Sequence, residues 1–344
     1  TVPFMDDLKF PNLLYGKVLR SPHAHAIIRK IDKSRALALP GVKAVVTWED
    51  IPDWRGGTPR LVRVLDNKVH YVGDAVALVA AASEQIAEEA LRLIDVEYEL
   101  LPAVFDIDAA LRPDAPRLYD ELKDNVIPGG TPIYGPNCLQ GVVRGDVDKG
   151  FAEADVITEG TFGYENMPNA LPAEALGCVA FWEAPNRATI YGTSQAPYMD
   201  KVTLFHVFNR EVEVRSIGHN VGGSFGTKFM CWQVQAYAII LARATLRPVK
   251  IMFTKEEHMA NFTLRIGSRI SARVGMKKDG TITAIQGTWT VDSGYYSSTT
   301  QCQVAVGAGE LMIMVQCPNW DLKNIIVATN RNASGPTRGF GGQE

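Results

Sequence analysis

Cysteine is scarce in this sequence: Cys138, Cys178, Cys231, Cys302 and Cys317 are the only five among 344 residues, and the closest two are 15 positions apart. No C-x-x-C pairing exists, which excludes a zinc ribbon or a cysteine-ligated iron–sulfur cluster in this chain. An odd, scattered count does not suit a secreted disulfide framework, so a reducing, cytoplasmic compartment is expected. No apolar run approaches the roughly 18–20 residues that a membrane-spanning helix needs. Neither sign of charge dominates: 35 Lys+Arg stand against 38 Asp+Glu, a formal net charge of −3. Without a basic block there is no electrostatic footprint for nucleic acid. Neither the P-loop frame nor G-x-G-x-x-G is present, so the two common phosphate motifs are absent. Thr1-Val2-Pro3-Phe4 has neither an initiator Met nor a signal-peptide pattern, so the chain is expected to be processed or to begin inside a longer gene product.

What is present is ordinary globular material. At 46% hydrophobic and 21% charged residues the chain has enough apolar surface to fold, and its length suits about two domains. From Leu14 to Asp106, strands and helices alternate. Asp74–Ala80 reads as a buried strand, and Ser83 caps a helix whose stripe Ile86, Ala90, Leu93, Ile94 faces inward while Glu84 and Glu88 face water. Val96–Leu100 alternates like a half-buried strand. A Pro-rich connector follows, carrying Pro113, Pro116, Pro128, Pro132 and Pro136, and it marks the expected domain boundary. Beyond it, Gly145-Asp146 opens a helix over Val147–Ala154. Lys278-Asp279-Gly280 joins Arg269–Gly275 to Thr281–Asp292 as a hairpin.

Three segments can carry chemistry. Gly222-Gly223-Ser224-Phe225-Gly226-Thr227-Lys228 is a glycine-rich loop, followed by an apolar helix expected from Phe229 to about Thr245 and a strand over Pro248–Phe253. Such a loop admits close approach of a ligand to the main chain and aims N–H groups at an acceptor. From spacing alone a tight packing turn is an equally good reading. The run Gly335-Pro336-Thr337-Arg338-Gly339-Phe340-Gly341 sets an arginine, able to fork onto an anion, beside an aromatic able to stack. A floppy tail is the bland alternative, although tails are seldom so rich in glycine and aromatics together. Gln195 ends the strand-like Ala188–Tyr191 within Gly192-Thr193-Ser194-Gln195, a weak signal by itself. Glu174 reads as a hydrogen-bonded structural acid. His23 and His25 share a face of a segment expected to be extended, but no third ligand is near, so a metal site is not expected there.

Taken in order, Arg20-Ser21-Pro22-His23-Ala24-His25-Ala26, Pro40-Gly41-Val42, Tyr71-Val72-Gly73-Asp74, Gly145-Asp146-Val147, Gly192-Thr193-Ser194-Gln195, Gly222-Gly223-Ser224-Phe225-Gly226 and Arg338-Gly339-Phe340-Gly341 resemble the molybdenum-binding subunit of the xanthine oxidase family. The resemblance runs the whole chain and is closer to aldehyde oxidoreductase-like members. It implies an α+β protein, with an α/β hammerhead domain at 1–110, a connector at 111–136 and the first half of a molybdopterin-binding region at 137–344. In that family the metal is held by a pterin, commonly a cytosine dinucleotide in bacteria, and not by protein side chains. The reaction is hydroxylation with oxygen from water, and electrons leave to [2Fe-2S] clusters and FAD on partner subunits.

By motif position, Gln195 resembles the glutamine whose amide bonds an oxo ligand on molybdenum. Gly223, Ser224, Phe225 and Gly226 resemble the loop that approaches the metal's ligands, Arg338 the arginine beside it and Phe340 the aromatic against the substrate, while Phe229 is expected to line the substrate pocket. Two departures matter. The family's glutamate base belongs to a later G-x-G-E-type motif, whereas Gly307-Ala308-Gly309-Glu310 lies upstream of the arginine loop and reads as a chance match. A second molybdopterin subunit carrying that glutamate is therefore expected. Phe229 stands where purine-oxidising members carry a glutamate, which disfavours xanthine. The Arg338 loop lacks the cysteine of carbon monoxide dehydrogenases, which disfavours a copper–molybdenum site. The rival readings are a non-catalytic scaffold subunit and, weaker, a stand-alone nucleotide-binding module.

Overall fold

The computed structural model describes residues 3–57, 59–128, 141–164, 168–229, 231–261, 263–296, 299–339 and 341. The chain forms two compact units that interleave in sequence. The first takes 1–103, 170–262 and 330–332, and the second takes 104–169, 263–329 and 333–344.

In the first unit, the alanine- and valine-rich strand Ala75–Ala81 is buried at all seven positions, because both faces of its sheet are covered. It lies next to the edge of a seven-stranded sheet ordered Glu213–Ile217, Arg187–Gly192, Gly177–Ala184, Val249–Met252, Leu14–Arg20, Ala75–Ala81, Val42–Val46. Leu14–Gly16 runs parallel to Val249–Ile251, which joins the N-terminal strands to those from the middle of the chain. Helix Glu84–Arg92 begins as expected, with the Ser83 hydroxyl accepting the Ile86 N–H at 3.3 Å. Its Ala87 and Ala90, together with Ile94, pack on Ala77, Val79 and Ala81. Lys17 reaches Glu84 and Glu88 at 3.1 and 3.2 Å, so the helix's wet side is tied to the sheet. A three-stranded sheet, Lys68–Val69, Ala26–Asp32 and Asp95–Leu100, completes this part.

Helix Trp232–Thr245 is buried along its first eleven residues, Trp232 to Ala242. It starts three residues later than the sequence pattern suggests. Thr227 and Phe229 donate N–H bonds to Ser224 and Gly226, each three residues back, so tight turns run up to Phe229, the position read as the helix start. A second correction concerns His23 and His25. Residues 22–25 bend instead of extending. His25 Nδ1 lies 2.6 Å from the Pro102 carbonyl, and the His23 ring packs edge-on against Tyr98.

The second unit is built on a five-stranded sheet ordered Val156–Tyr164, Gly267–Met276, Ile282–Asp292, Trp320–Val327, Gly141–Arg144. The hairpin around Lys278-Asp279-Gly280 forms as expected, with Gly280 at φ +89. Asp146 caps helix Val147–Ala152 by accepting the Lys149 N–H. Residues 112–128 are packed into this unit, where buried Asn125 bonds the Leu118 N–H and the Ala110 and Pro116 carbonyls. Pro132 and Pro136 lie outside the described residues. Among the described residues no helix is long and apolar enough to cross a membrane.

Candidate functional site

Strand Arg187–Gly192 delivers Gln195 to the end of the first unit's sheet, and the glycine-rich loop closes against it. Gln195 Oε1 accepts the Gly226 N–H at 3.2 Å and the Ser224 hydroxyl. The Gln195 N–H in turn donates to the Lys228 carbonyl at 3.2 Å. The structure thus brings Gln195, Gly223, Ser224, Phe225, Gly226 and Phe229 into one cluster. Among the described residues the Gln195 side-chain Nε2 has no partner, and the residue is exposed. Phe225, half exposed, holds a left-handed φ of +54, followed by Gly226 at +96. A left-handed phenylalanine is a strained choice, and the loop's hydrogen bonds keep it there. Gly222 has no room for a side chain, since a Cβ would lie 2.6 Å from that of Glu174.

Two residues carry more of this site than sequence reasoning assigned them. Lys228 is fully buried, and its Nζ lies 2.8 Å from Glu174 Oε2. The same carboxylate accepts the Gly222 N–H at 2.8 Å and the Met5 N–H at 3.2 Å, and the Glu174 N–H donates to the Gly222 carbonyl at 3.0 Å. Glu174 is the structural acid that its position suggested, and it grips both ends of the loop. Burial pushes its carboxyl up, but Lys228 and the Gly222 N–H more than offset this and hold it below the usual range. Burial pulls the Lys228 ammonium down, against Glu174. The available signal for this pair was a lysine just ahead of a largely apolar helix, a place where a cation needs a carboxylate.

Behind the loop sit further buried titratable groups. Asp200 is fully buried and pushed up to about 6, mainly by burial, with Ser194 and Gln235 pulling the other way. His258 is pushed down to about 4 by burial and then by the charges of Lys228 and Lys255. The Cys178 and Cys231 thiols are driven well up by burial, with Asp200 adding to it.

Arg338 belongs to the second unit. It is exposed, and its carbonyl accepts the Arg265 guanidinium at 2.6 Å. The run before it is no floppy tail: residues 333–337 are buried, and Gly335 donates its N–H to Leu264. Gly341 fits against the helix Thr300–Met314, where a Cβ would lie 2.5 Å from the Gln303 carbonyl. Gly307-Ala308-Gly309-Glu310 lies inside that helix and not in a loop. Phe340 lies outside the described residues.

The described residues fit an acceptor-rich ligand. Gln195 offers an amide Nε2 beside the loop, and Gly223 and Gly226, both at positive φ, set no side chain over the backbone. These are hydrogen-bond donors and not metal ligands, and among the described residues no group of three or more His, Cys, Asp or Glu could hold a metal ion.

Known proteins agree with this architecture. A profile of the molybdopterin cofactor-binding domain matches residues 132–344, and one of the aldehyde oxidase and xanthine dehydrogenase a/b hammerhead domain matches 2–102. A probable xanthine dehydrogenase subunit of Bacillus subtilis is 34% identical over 99% of this chain and 44% of its own length. The nicotinate dehydrogenase large molybdopterin subunit of Eubacterium barkeri is 30% identical over 99% of this chain and 78% of its own length. The aldehyde oxidoreductase of Desulfovibrio gigas superimposes with a TM-score of 0.83 at 27% identity, over 99% of this chain and 38% of that one. The chain therefore spans less than half of the Bacillus relative. A hammerhead domain is followed by a molybdopterin-binding domain, and the chain belongs to the molybdenum-binding subunits of the xanthine oxidase family.

Proposed function

We propose that this chain binds the molybdopterin of a hydroxylase that oxidises an aldehyde or an aromatic N-heterocycle, with water as the source of oxygen. The observation that carries this reading is the pinned Gln195, whose amide oxygen is held by the loop and whose Nε2 remains to donate. In this reading the domains run 1–110, 111–136 and 137–344, and the cofactor is the cytosine dinucleotide form. When bound, it supplies the two-electron redox chemistry.

The chain's own residues bind and orient. Gln195 Nε2 donates to an acceptor of the cofactor, the backbone of Gly223–Gly226 lines its approach, and Arg338 supplies a fixed positive charge. Phe229, half-buried beside the loop, offers the substrate an apolar, stackable face in place of an acid, and Phe340 is assigned to substrate binding by its motif position alone. A nicotinate dehydrogenase subunit that matches over most of its own length supports a heterocyclic substrate class. It also supports a divided molybdopterin region, in which a second subunit contributes the glutamate base. The same reading calls for [2Fe-2S] and FAD partner subunits as electron acceptors, in the cytoplasm.

The test is molybdenum and pterin content in the whole complex, purified anaerobically with its partners attached. The expected result is about one molybdenum per copy of this chain. A complex with all subunits, an active cofactor pathway and no molybdenum would overturn the proposal.

A further inference from the structure

The geometry points to Ser224 as the residue that sets which end of the Gln195 amide faces outward, a positioning role that rests on the molybdopterin reading above. The argument begins at the backbone. The Gly226 N–H is only a donor, so the Gln195 atom 3.2 Å from it must be the amide oxygen. The same oxygen is met by the Ser224 hydroxyl. A serine hydroxyl can turn, and here its proton has one acceptor to meet, the Gln195 oxygen that the Gly226 N–H has already identified, while the Lys228 N–H donates to Ser224 Oγ at 3.3 Å. The order is Lys228 N–H to Ser224 Oγ, then Ser224 O–H to Gln195 Oε1.

This relay does something that the Gly226 N–H does less well alone. An exposed glutamine amide held by one bond can swing or exchange its two ends at the cost of a single hydrogen bond. Held by two donors converging on Oε1, it presents Nε2 outward, and an inverted amide would set its NH2 against the Gly226 N–H and give up the bond from the Ser224 hydroxyl. A ligand that needs a donor at this place meets one already oriented. The loop backbone supplies one donor, whereas the hydroxyl depends on residue 224 being serine. The loop also fixes Ser224 itself, since Thr227 donates both its N–H and its hydroxyl to the Ser224 carbonyl, at 3.0 and 2.7 Å.

The test is a double-mutant cycle in the purified complex with four proteins: wild type, Ser224→Ala, Gln195→Ala and the double variant. For each, kcat and KM, the molybdenum paramagnetic resonance spectrum, molybdenum content and melting temperature are measured. Ser224→Ala should lower kcat about tenfold with little change in KM, and should shift the spectrum at full molybdenum occupancy. In the Gln195→Ala background the same change should have no further effect on kcat or spectrum, because the residue acts only through that amide. Ser224→Thr, which keeps the hydroxyl, should restore wild-type behaviour. Additive effects, or an alanine variant with wild-type kcat and spectrum, overturn this inference and leave the molybdopterin reading standing. A fall in melting temperature without coupling to Gln195 marks a merely structural serine and overturns it too. A wild-type complex without molybdenum overturns the functional reading and this inference together.

Discussion

Lys228 Nζ and Glu174 Oε2 stand 2.8 Å apart, with the lysine side chain wholly buried and the glutamate 11% exposed. The pair crosses the glycine-rich loop at its base: Glu174 holds the Gly222 N–H, and the Lys228 carbonyl holds the Gln195 N–H. Removing one partner leaves the other charge buried without compensation. Lys228→Met should therefore cost about 3–5 kcal/mol, read as a lowered melting temperature, and should empty the site of molybdenum. Adding Glu174→Gln to that variant should recover part of the loss, and failure to recover any would show that the two do not act as a pair.

The same pair has a pH signature. The Glu174 carboxyl is held below its ordinary 4.5 in the fold. A depressed acid stabilises above its unfolded pKa, and that contribution is lost as pH falls through the folded one. Glu174→Gln should flatten the acid limb of the stability curve below about pH 4.5. Unchanged acid unfolding would disprove the coupling.

Gln195 itself makes few demands on stability, since it is exposed and its backbone N–H bond to Lys228 survives truncation. Gln195→Ala should lower turnover about a hundredfold while the melting temperature stays where it is. Wild-type turnover in that variant would remove Gln195 from the site.

How much of this was legible beforehand follows physical lines. Local signals were readable: the Ser83 cap, the Asp146 cap, the Lys278-Asp279-Gly280 turn and the uninterrupted apolar strand that became Ala75–Ala81. Each is written within about a dozen residues. Long-range pairings were not. Nothing near Leu14 announces a parallel partner at Val249, and the interleaving of the two units depends on such pairings. The site divides in the same way. Motif order marked Gln195 and the loop, whereas the Lys228–Glu174 bond spans 54 residues and depends on three-dimensional burial. The late start of helix Trp232–Thr245 was missed because the apolar Phe229 continues the helical pattern while its N–H is held in a turn by the Gly226 carbonyl.

Phe225 separates backbone from ring. At φ +54 a glycine would sit without steric cost, and the exposed ring contributes little packing. Phe225→Gly should keep stability within about 1 kcal/mol of wild type, since relieved strain offsets the added freedom of the unfolded chain. It should also retain the cofactor. Phe225→Asp tolerates the same backbone but places a carboxylate at the loop tip, and it should lose molybdenum occupancy. Full occupancy in the aspartate variant would sink the assignment of this loop to the cofactor.

Asp200 and His258 oppose one another in the same pH window. Asp200 is raised from 3.8 to about 6 by burial, so the fold keeps a proton that the unfolded chain gives up. Its contribution is complete below about pH 4 and is lost as pH rises through about 6, a change of about 3 kcal/mol. His258 is lowered from 6.5 to about 4 by burial and by Lys228 and Lys255, so the fold refuses a proton that the unfolded chain accepts. Its contribution is complete above about 6.5 and is lost as pH falls towards about 4, by a similar amount. In the wild-type protein the two slopes largely cancel. Asp200→Asn should unmask the histidine, so that stability climbs with pH across this interval, and His258→Gln should unmask the aspartate and reverse the slope. Urea-denaturation midpoints at several pH values between about 4 and 6.5 read both effects. Curves for the two variants that run parallel to wild type would mean that neither group holds its charge state against solvent.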